Sequence, residues 1–207
     1  MKIRIALAMA ALFAVQGCAT MSQEECLAGD WYAIGFEDGA QGRNADRIGK
    51  YRKACANYNV TPDLVAYQEG REKGLREFCR PQTGFAVGRR GHSYSGICPA
   101  DLEPAFVAAY QEGKHLYSLR AQVNNTTRML ALRKEELHEL EEDMVRIAAA
   151  VIDSETTNEE RAILLIDAKD MAHRRGELEH EILHLERDQA VFQDRLANYE
   201  HALMYDY

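Results

Sequence analysis

His180-Glu181-Ile182-Leu183-His184 spells H-E-x-x-H. Two histidines four residues apart share one face of a helix and can hold a zinc ion, with the intervening glutamate as general base for a bound water. The chemistry implied is that of a zinc hydrolase. The surrounding pattern works against it. Ile182 and Leu185 fall on apolar heptad positions, which turns His180 and His184 to the outer face. A catalytic zinc also needs a third protein ligand and a walled cleft. Glu200, the carboxylate downstream, would lie about 24 Å beyond His184 along the same helix. A chain rich in Glu, His and Leu produces this motif readily. No catalytic residue, metal or cofactor is therefore assigned; incidental surface metal binding ranks ahead of the hydrolase, which is kept as a remote alternative.

The cysteines carry a second chemistry. Cys18 ends the run Val15-Gln16-Gly17-Cys18, after a basic start (Met1-Lys2-Ile3-Arg4) and an uncharged apolar stretch from Ile5 to Val15. That stretch is shorter than the roughly 20 residues a membrane-spanning helix needs. It fits the apolar region of a signal peptide, and a small residue directly before cysteine marks a lipoprotein cleavage site rather than an ordinary A-x-A-like one. Residues 1–17 are read as signal peptide. Cys18 is read as the acylated residue, carrying palmitate-type chains, that anchors the chain in a lipid membrane; more than one chain gives stable anchoring. Ala19, in place of an aspartate, favours the outer membrane, with the body in the periplasm.

Cys26, Cys55, Cys79 and Cys98 remain. An even number in an oxidising compartment implies two disulfides, and four cysteines allow three pairings. Cys26–Cys55 with Cys79–Cys98 is preferred, because each closes a moderate local loop. A zinc site would want C-x-x-C pairs, and no two of these cysteines are that close. Between Cys79 and Cys98 lies Arg89-Arg90-Gly91-His92-Ser93-Tyr94, the densest polar cluster of the first half. Arg89, His92 and Tyr94 are candidates for a binding loop, against the plainer reading of a solvated loop with a tight glycine turn.

These residues need elements to place them, and the chain changes grammar near residue 115. Of 14 glycines, 12 lie between Gly29 and Gly113, and all four prolines fall before residue 105. The formal charge of −8 becomes −10 once Lys2 and Arg4 are removed, which makes nucleic acid a poor partner. The first half reads as short helices joined by tight loops. Ser22 can cap a helix running through Cys26 and Trp31. Thr61-Pro62-Asp63 reads as a helix start with Thr61 as N-cap and Pro62 at the first position. Leu64, Val65, Tyr67 and Leu75 then sit at helical spacing until Pro81. Pro99-Ala100-Asp101 opens the next helix.

A weak repeat runs through this half. Gly35-x3-Gly39-x2-Gly42 has the spacing of Gly84-x3-Gly88-x2-Gly91, Gly70-x3-Gly74 echoes it, and AYQEG recurs at Ala66–Gly70 and Ala109–Gly113. Glycines four apart on a helix let another backbone approach closely. Each costs about 1 kcal/mol against alanine, which packing must offset. A phosphate-cradling loop would need a preceding strand, and none is evident. Cys26-x4-Trp31, Ile34-Gly35-x2-Asp38-Gly39, Tyr67-x2-Gly70-x3-Gly74 and Gly91-x2-Tyr94-x-Gly96-x-Cys98-Pro99 together resemble a domain-of-unknown-function family of Gram-negative lipoproteins, over about residues 26–113. The resemblance implies an envelope location and no catalytic residue.

The second half alternates steps of three and four. Leu116, Leu119, Val123, Leu130, Leu137, Leu140, Met144, Ile147 and Val151 hold one seam, interrupted by Thr126 and Arg133. Met171, Leu178, Ile182, Leu185, Phe192, Leu196, Tyr199 and Leu203 hold another, interrupted by Arg175 and Gln189. Asp153–Asn158 is a polar break between them. Two heptad arms with one break predict an antiparallel hairpin. The register pairs Leu116 with Tyr199, Leu137 with Leu178 and Thr126 with Gln189.

The expectation is an all-α chain with a small disulfide-braced helical domain followed by a long antiparallel coiled-coil hairpin. It divides into the signal peptide (1–17), a lipidated linker (18–25), a Gly/Cys-rich domain (26–114) and the hairpin (115–207, turning near 152–160). The expected function is that of a non-enzymatic outer-membrane lipoprotein, structural or docking an envelope protein partner through the hairpin. The alternative is a periplasmic module binding a cell-wall fragment or small ligand near Trp31, Tyr94 and Arg89. The sequence leaves the oligomeric state open.

Overall fold

The computed structural model describes residues 21–205; residues 1–17, expected to be a signal peptide, and Cys18 lie outside the described residues. All the regular structure described is helical: α1 (Gln23–Leu27), α2 (Trp31–Ala40), α3 (Arg47–Ala56), α4 (Leu64–Phe78), α5 (Pro81–Arg89), α6 (Glu103–Ile152) and α7 (Asn158–Tyr205). Two compact units result. Among the described residues, one holds 21–84 together with Ser93–Ala109, the other Phe85–His92 and 110–205.

Local capping explains where helices begin, and it corrects three expectations. Ser22 does cap a helix, in a capping box with Glu25, but α1 stops at Leu27. Trp31 opens a separate helix because Asp30 accepts a hydrogen bond from the Ala33 amide. At α4 the cap is Asp63 rather than Thr61: its Oδ1 accepts from the Val65 and Ala66 amides, leaving Pro62 outside the helix. Asp63 wins because a carboxylate engages two of the unpaired first-turn amides at once. Pro99–Leu102 forms a turn in which the Leu102 and Glu103 amides both donate to the Pro99 carbonyl, so α6 starts at Glu103.

The core of the first unit gathers Met21, Trp31, Tyr51 and Tyr67 around the Cys26–Cys55 bridge. Leu64 and Val65, expected on the apolar face of α4, are exposed; the buried face is Tyr67, Gly70, Gly74 and Leu75. That face packs on α2 with the two helices parallel and their backbones in contact. A Cβ at Gly35 would stand 2.0 Å from the Tyr67 carbonyl oxygen, and one at Gly74 would stand 2.0 Å from that of Phe36.

The glycine spacing is repeated in the contacts of α5 with the start of α6. Gly84 lies against the Phe106 carbonyl as Gly35 does against Tyr67, and Gly88 meets Tyr110 as Gly39 meets Arg71. Gly42 and Gly91 close the leading helices in the left-handed conformation, at φ +67° and +76°, each under an aromatic ring (Phe78, Tyr117). On the following helices Gly113 has the role of Gly74, since both meet the backbone of the leading helix at equivalent residues (Phe85 and Arg89, Phe36 and Ala40). The structural repeat is therefore one helical turn out of step with the AYQEG echo, which would have matched Gly113 to Gly70. Backbone approach, not residue type, sets the correspondence.

In the second unit α6 and α7 run antiparallel as a coiled-coil hairpin. Every expected seam position on α6 from Leu116 to Val151, Thr126 and Arg133 included, is at least partly buried. Contacts across the hairpin follow the expected register: Arg120 with Glu200 at 2.6 Å, Arg133 with Glu181 at 2.7 Å, Lys134 with Glu186 at 2.8 Å, and the His115 ring edge-on to Tyr199. Two details differ. Thr126 is buried but bonds back to the Gln122 carbonyl (2.9 Å), while Gln189 donates to the neighbouring Thr127 at 2.8 Å. Arg174, not Arg175, takes the seam-side position on α7. A long guanidinium there reaches Glu136 across the hairpin at 2.6 Å, while Arg175 points out and pairs with Glu179.

Arg174, and secondarily Arg133, hold the Glu136 carboxyl below its ordinary value of 4.5. A carboxylate depressed in the folded state stabilises the fold above its unfolded pKa, and that contribution is lost as pH falls through the folded value. Glu136→Gln should therefore lose less thermal stability than the parent chain between about pH 6 and about pH 3, read by circular dichroism melts. Equal losses would show that the pair contributes nothing.

Candidate functional site

Asp38 is the one buried carboxylate among the described residues, at 5% exposure. It sits between Gly35 and Gly39 on the α2 face that meets α4, and residues from α3 and α4 satisfy it. Tyr67 of α4 donates its hydroxyl to Oδ2 at 2.8 Å. Tyr51 of α3 donates to the same carboxylate at 2.9 Å, and Arg47 Nε stands 3.0 Å from Oδ1 and 2.7 Å from the Tyr51 oxygen. Burial raises both phenols above their ordinary values, and bonding to Asp38 adds to the rise. Arg47 is held above its ordinary value first by the bond to Tyr51. The cluster thus pairs a carboxylate with neutral phenols and one cation. Both carboxylate oxygens are engaged from within, so the network clamps α2, α3 and α4 together and offers no free nucleophile or base.

The second glycine-contact pair shows that this network is not demanded by the packing. By the same correspondence Val87 takes the place of Asp38 and Phe106 that of Tyr67. Sequence reading missed the cluster although it quoted Ile34-Gly35-x2-Asp38-Gly39; an acidic residue between two packing glycines was the available signal. Beside the cluster lies a pocket of about 210 Å³. Its walls include Ile48, Tyr67, Arg71 and Leu75. Arg71 donates to the Arg43 carbonyl at 2.8 Å. The volume is below the roughly 300 Å³ at which small-molecule sites begin.

The remaining expected residues fall as follows. Cys26 pairs with Cys55 and Cys79 with Cys98, at Cα separations of 5.5 and 5.6 Å, which is the preferred pairing. Loops of this length constrain the unfolded chain by about 3 kcal/mol each. Trp31, expected beside a ligand, is only 8% exposed and packs on Tyr51 in the core. Tyr94 stacks on Phe106; its hydroxyl donates to Glu103 and accepts from the Cys98 amide, so it braces the loop that ends at the second disulfide. Arg89 and His92 are exposed, and the His92 carbonyl accepts from Tyr110 at 3.0 Å.

His180 and His184 lie on the exposed face of α7 with their Nε2 atoms 3.3 Å apart, and Ile182 is buried in the seam. Glu200, the distant carboxylate, is taken by Arg120. Among the described residues no group of three or more His, Cys, Asp or Glu could hold a metal ion, and no helix is long and apolar enough to cross a membrane.

The hairpin end has a different character. Asp153 accepts from the Glu155 amide, Thr156 bonds the Ala150 carbonyl, and Arg161 ties the Asp153 and Thr156 carbonyls. Thr157 and Glu160 form a capping box at the start of α7. Around this rigid turn stand exposed apolar side chains: Val145 (70%), Ile152 (83%), Ile163, Leu165 and Ile166. The expected seam used only Ile147 and Val151 on this part of α6 and began at Met171 on α7; AAAVI (148–152) and AILLI (162–166) carry more apolar residues than one seam uses.

No curated protein and no solved structure matches this chain. Residues 30–115, the Gly/Cys-rich stretch, match the model of the family described as "Protein of unknown function (DUF2799)".

Proposed function

We propose that this chain is a non-enzymatic outer-membrane lipoprotein, anchored through acylated Cys18 with its body in the periplasm, whose hairpin docks an envelope protein. The observation that carries the docking role is the band of exposed Val, Ile and Leu at a turn that is itself rigidly hydrogen-bonded. Exposed apolar side chains concentrated near one end of an element mark an interaction site more often than singly scattered ones do. The anchoring role rests on the basic start, short apolar run and Gly17-Cys18 junction. A non-enzymatic role agrees with the internally satisfied Asp38 cluster.

Two experiments test this. Cys18→Ser should abolish palmitate labelling and release the protein from membranes; retained labelling would remove the anchor from the proposal. Photoreactive residues placed one at a time at Leu132, Ile152, Leu183 and Lys53 of the full chain should give protein adducts in intact cells from hairpin positions. Adducts from Lys53 alone would transfer the role to the Gly/Cys-rich domain.

A further inference from the structure

The outer face of the hairpin end has a pattern of its own. On α6, Val145, Ala148, Ala149 and Ile152 are exposed at i, i+3, i+4 and i+7, while Met144, Ile147 and Val151 take the seam. On α7, Ile163 and Ile166 are exposed one turn apart, with Leu164 turned partly inward. A helix apolar on its outer as well as its inner side is built to be covered on both. A stripe with this spacing fits a further helix laid along it.

Charge selects the occupant. From Glu141 to Asp170 there are nine carboxylates and three cations. Of the cations, Arg146 is paired with Asp143 and Arg161 is turned onto the turn carbonyls. A second copy would bring nine more carboxylates against the first, and an anionic lipid surface would be repelled in the same way. We propose that the hairpin end is a docking surface for an amphipathic helix of another protein, apolar on one face and flanked by lysine or arginine. The assignment rests on the hairpin being the docking element.

The test uses two synthetic helical peptides of equal length, one with leucine stripes flanked by lysine and one with the same stripes flanked by glutamate, titrated into the full chain. The lysine peptide should bind, and its affinity should fall on raising salt from about 50 to about 300 mM. Ile152→Asp with Ile166→Asp should weaken it by about tenfold or more, and Glu155→Lys with Glu159→Lys should do the same without touching an apolar residue. Leu183→Asp, exposed at mid-hairpin, should leave it unchanged. If the apolar variants lose helicity, the charge-reversed chain alone decides. Equal binding of both peptides, or an equal loss in Leu183→Asp, overturns the proposal. So does self-association by sedimentation that Ile152→Asp abolishes, which would make the occupant a second copy. Binding to phosphatidylglycerol vesicles that the same variant abolishes overturns it in favour of a lipid surface. In-cell adducts from Leu132 and Leu183 but not Ile152 would sink this assignment while sparing the hairpin's docking role; adducts from none of the three would sink both.

Discussion

Gly70→Ala should be among the most damaging single-methyl changes in this chain. A Cβ there would lie 1.9 Å from the Tyr32 carbonyl oxygen and 3.0 Å from the Phe36 amide nitrogen. Neither obstacle is a flexible side chain, so α2 and α4 must separate, and the contacts of Tyr67 and Leu75 loosen with them. Overpacking of this kind costs about 3 kcal/mol, a fall of roughly 15 °C in the melting midpoint of a domain this size. Gly35→Ala and Gly74→Ala meet the same obstacle from the two sides and should behave alike. Gly176→Ala supplies the opposite sign. It sits in α7 with nothing within 4 Å of the added carbon, so only helix propensity operates and the hairpin should gain about 1 kcal/mol. Thermal melts of the four variants decide the matter; a Gly70→Ala chain as stable as the parent would mean that the backbones are not in contact.

The second large effect belongs to Asp38. Asp38→Val leaves the Tyr51 and Tyr67 hydroxyl protons without an acceptor in the core, while Arg47 keeps only its bond to the Tyr51 oxygen, at a cost of about 3 kcal/mol. Tyr67→Phe alone removes one hydroxyl from a carboxylate that keeps other donors, and should cost about 1 kcal/mol. The triple change Asp38→Val, Tyr51→Phe, Tyr67→Phe should be more stable than Asp38→Val alone. It leaves no hydroxyl unpaired, and Arg47, one-third exposed, can turn to water. The same chain already places Val87 and Phe106 at the equivalent positions of its second helix pair. Denaturant unfolding of the single and combined variants gives the coupling, expected to be about 2 kcal/mol; strict additivity would show that the cluster does not act as a unit.

How much of this could be read in advance depended on how local the cause is. The α6 seam was legible from Leu116 to Val151, because heptad spacing on one helix fixes which side chains share a face whatever lies opposite. Arg174 was not, because Arg175 and Arg174 are both charged and only the reach to Glu136 across the hairpin separates them. The disulfides were legible because each closes a short loop. The start at Asp63 was misplaced because Thr61 offers a cap of nearly equal quality two residues earlier, and the choice falls on the carboxylate that reaches two amides; the start at Asp30 was missed because Ser22 does cap a helix and nothing local announces that it stops at Leu27.

The glycine repeat shows the boundary most clearly. Spacing alone announced that helices would meet backbone to backbone. Which glycine stands opposite which is a matter of how far two helices slide before their carbonyls fit, and that register put Gly113 in the place of Gly74, one turn away from the AYQEG echo. The Asp38 cluster belongs to the same class, since its donors come from residues 47, 51 and 67, remote in the chain and brought together only when α3 and α4 close on α2. Cysteine count, heptad arms and the polar break were properties of the chain itself. The satisfaction of a buried carboxylate and the exposure of a second apolar face at the hairpin end were decided by packing, because each depends on what the rest of the molecule leaves covered or uncovered.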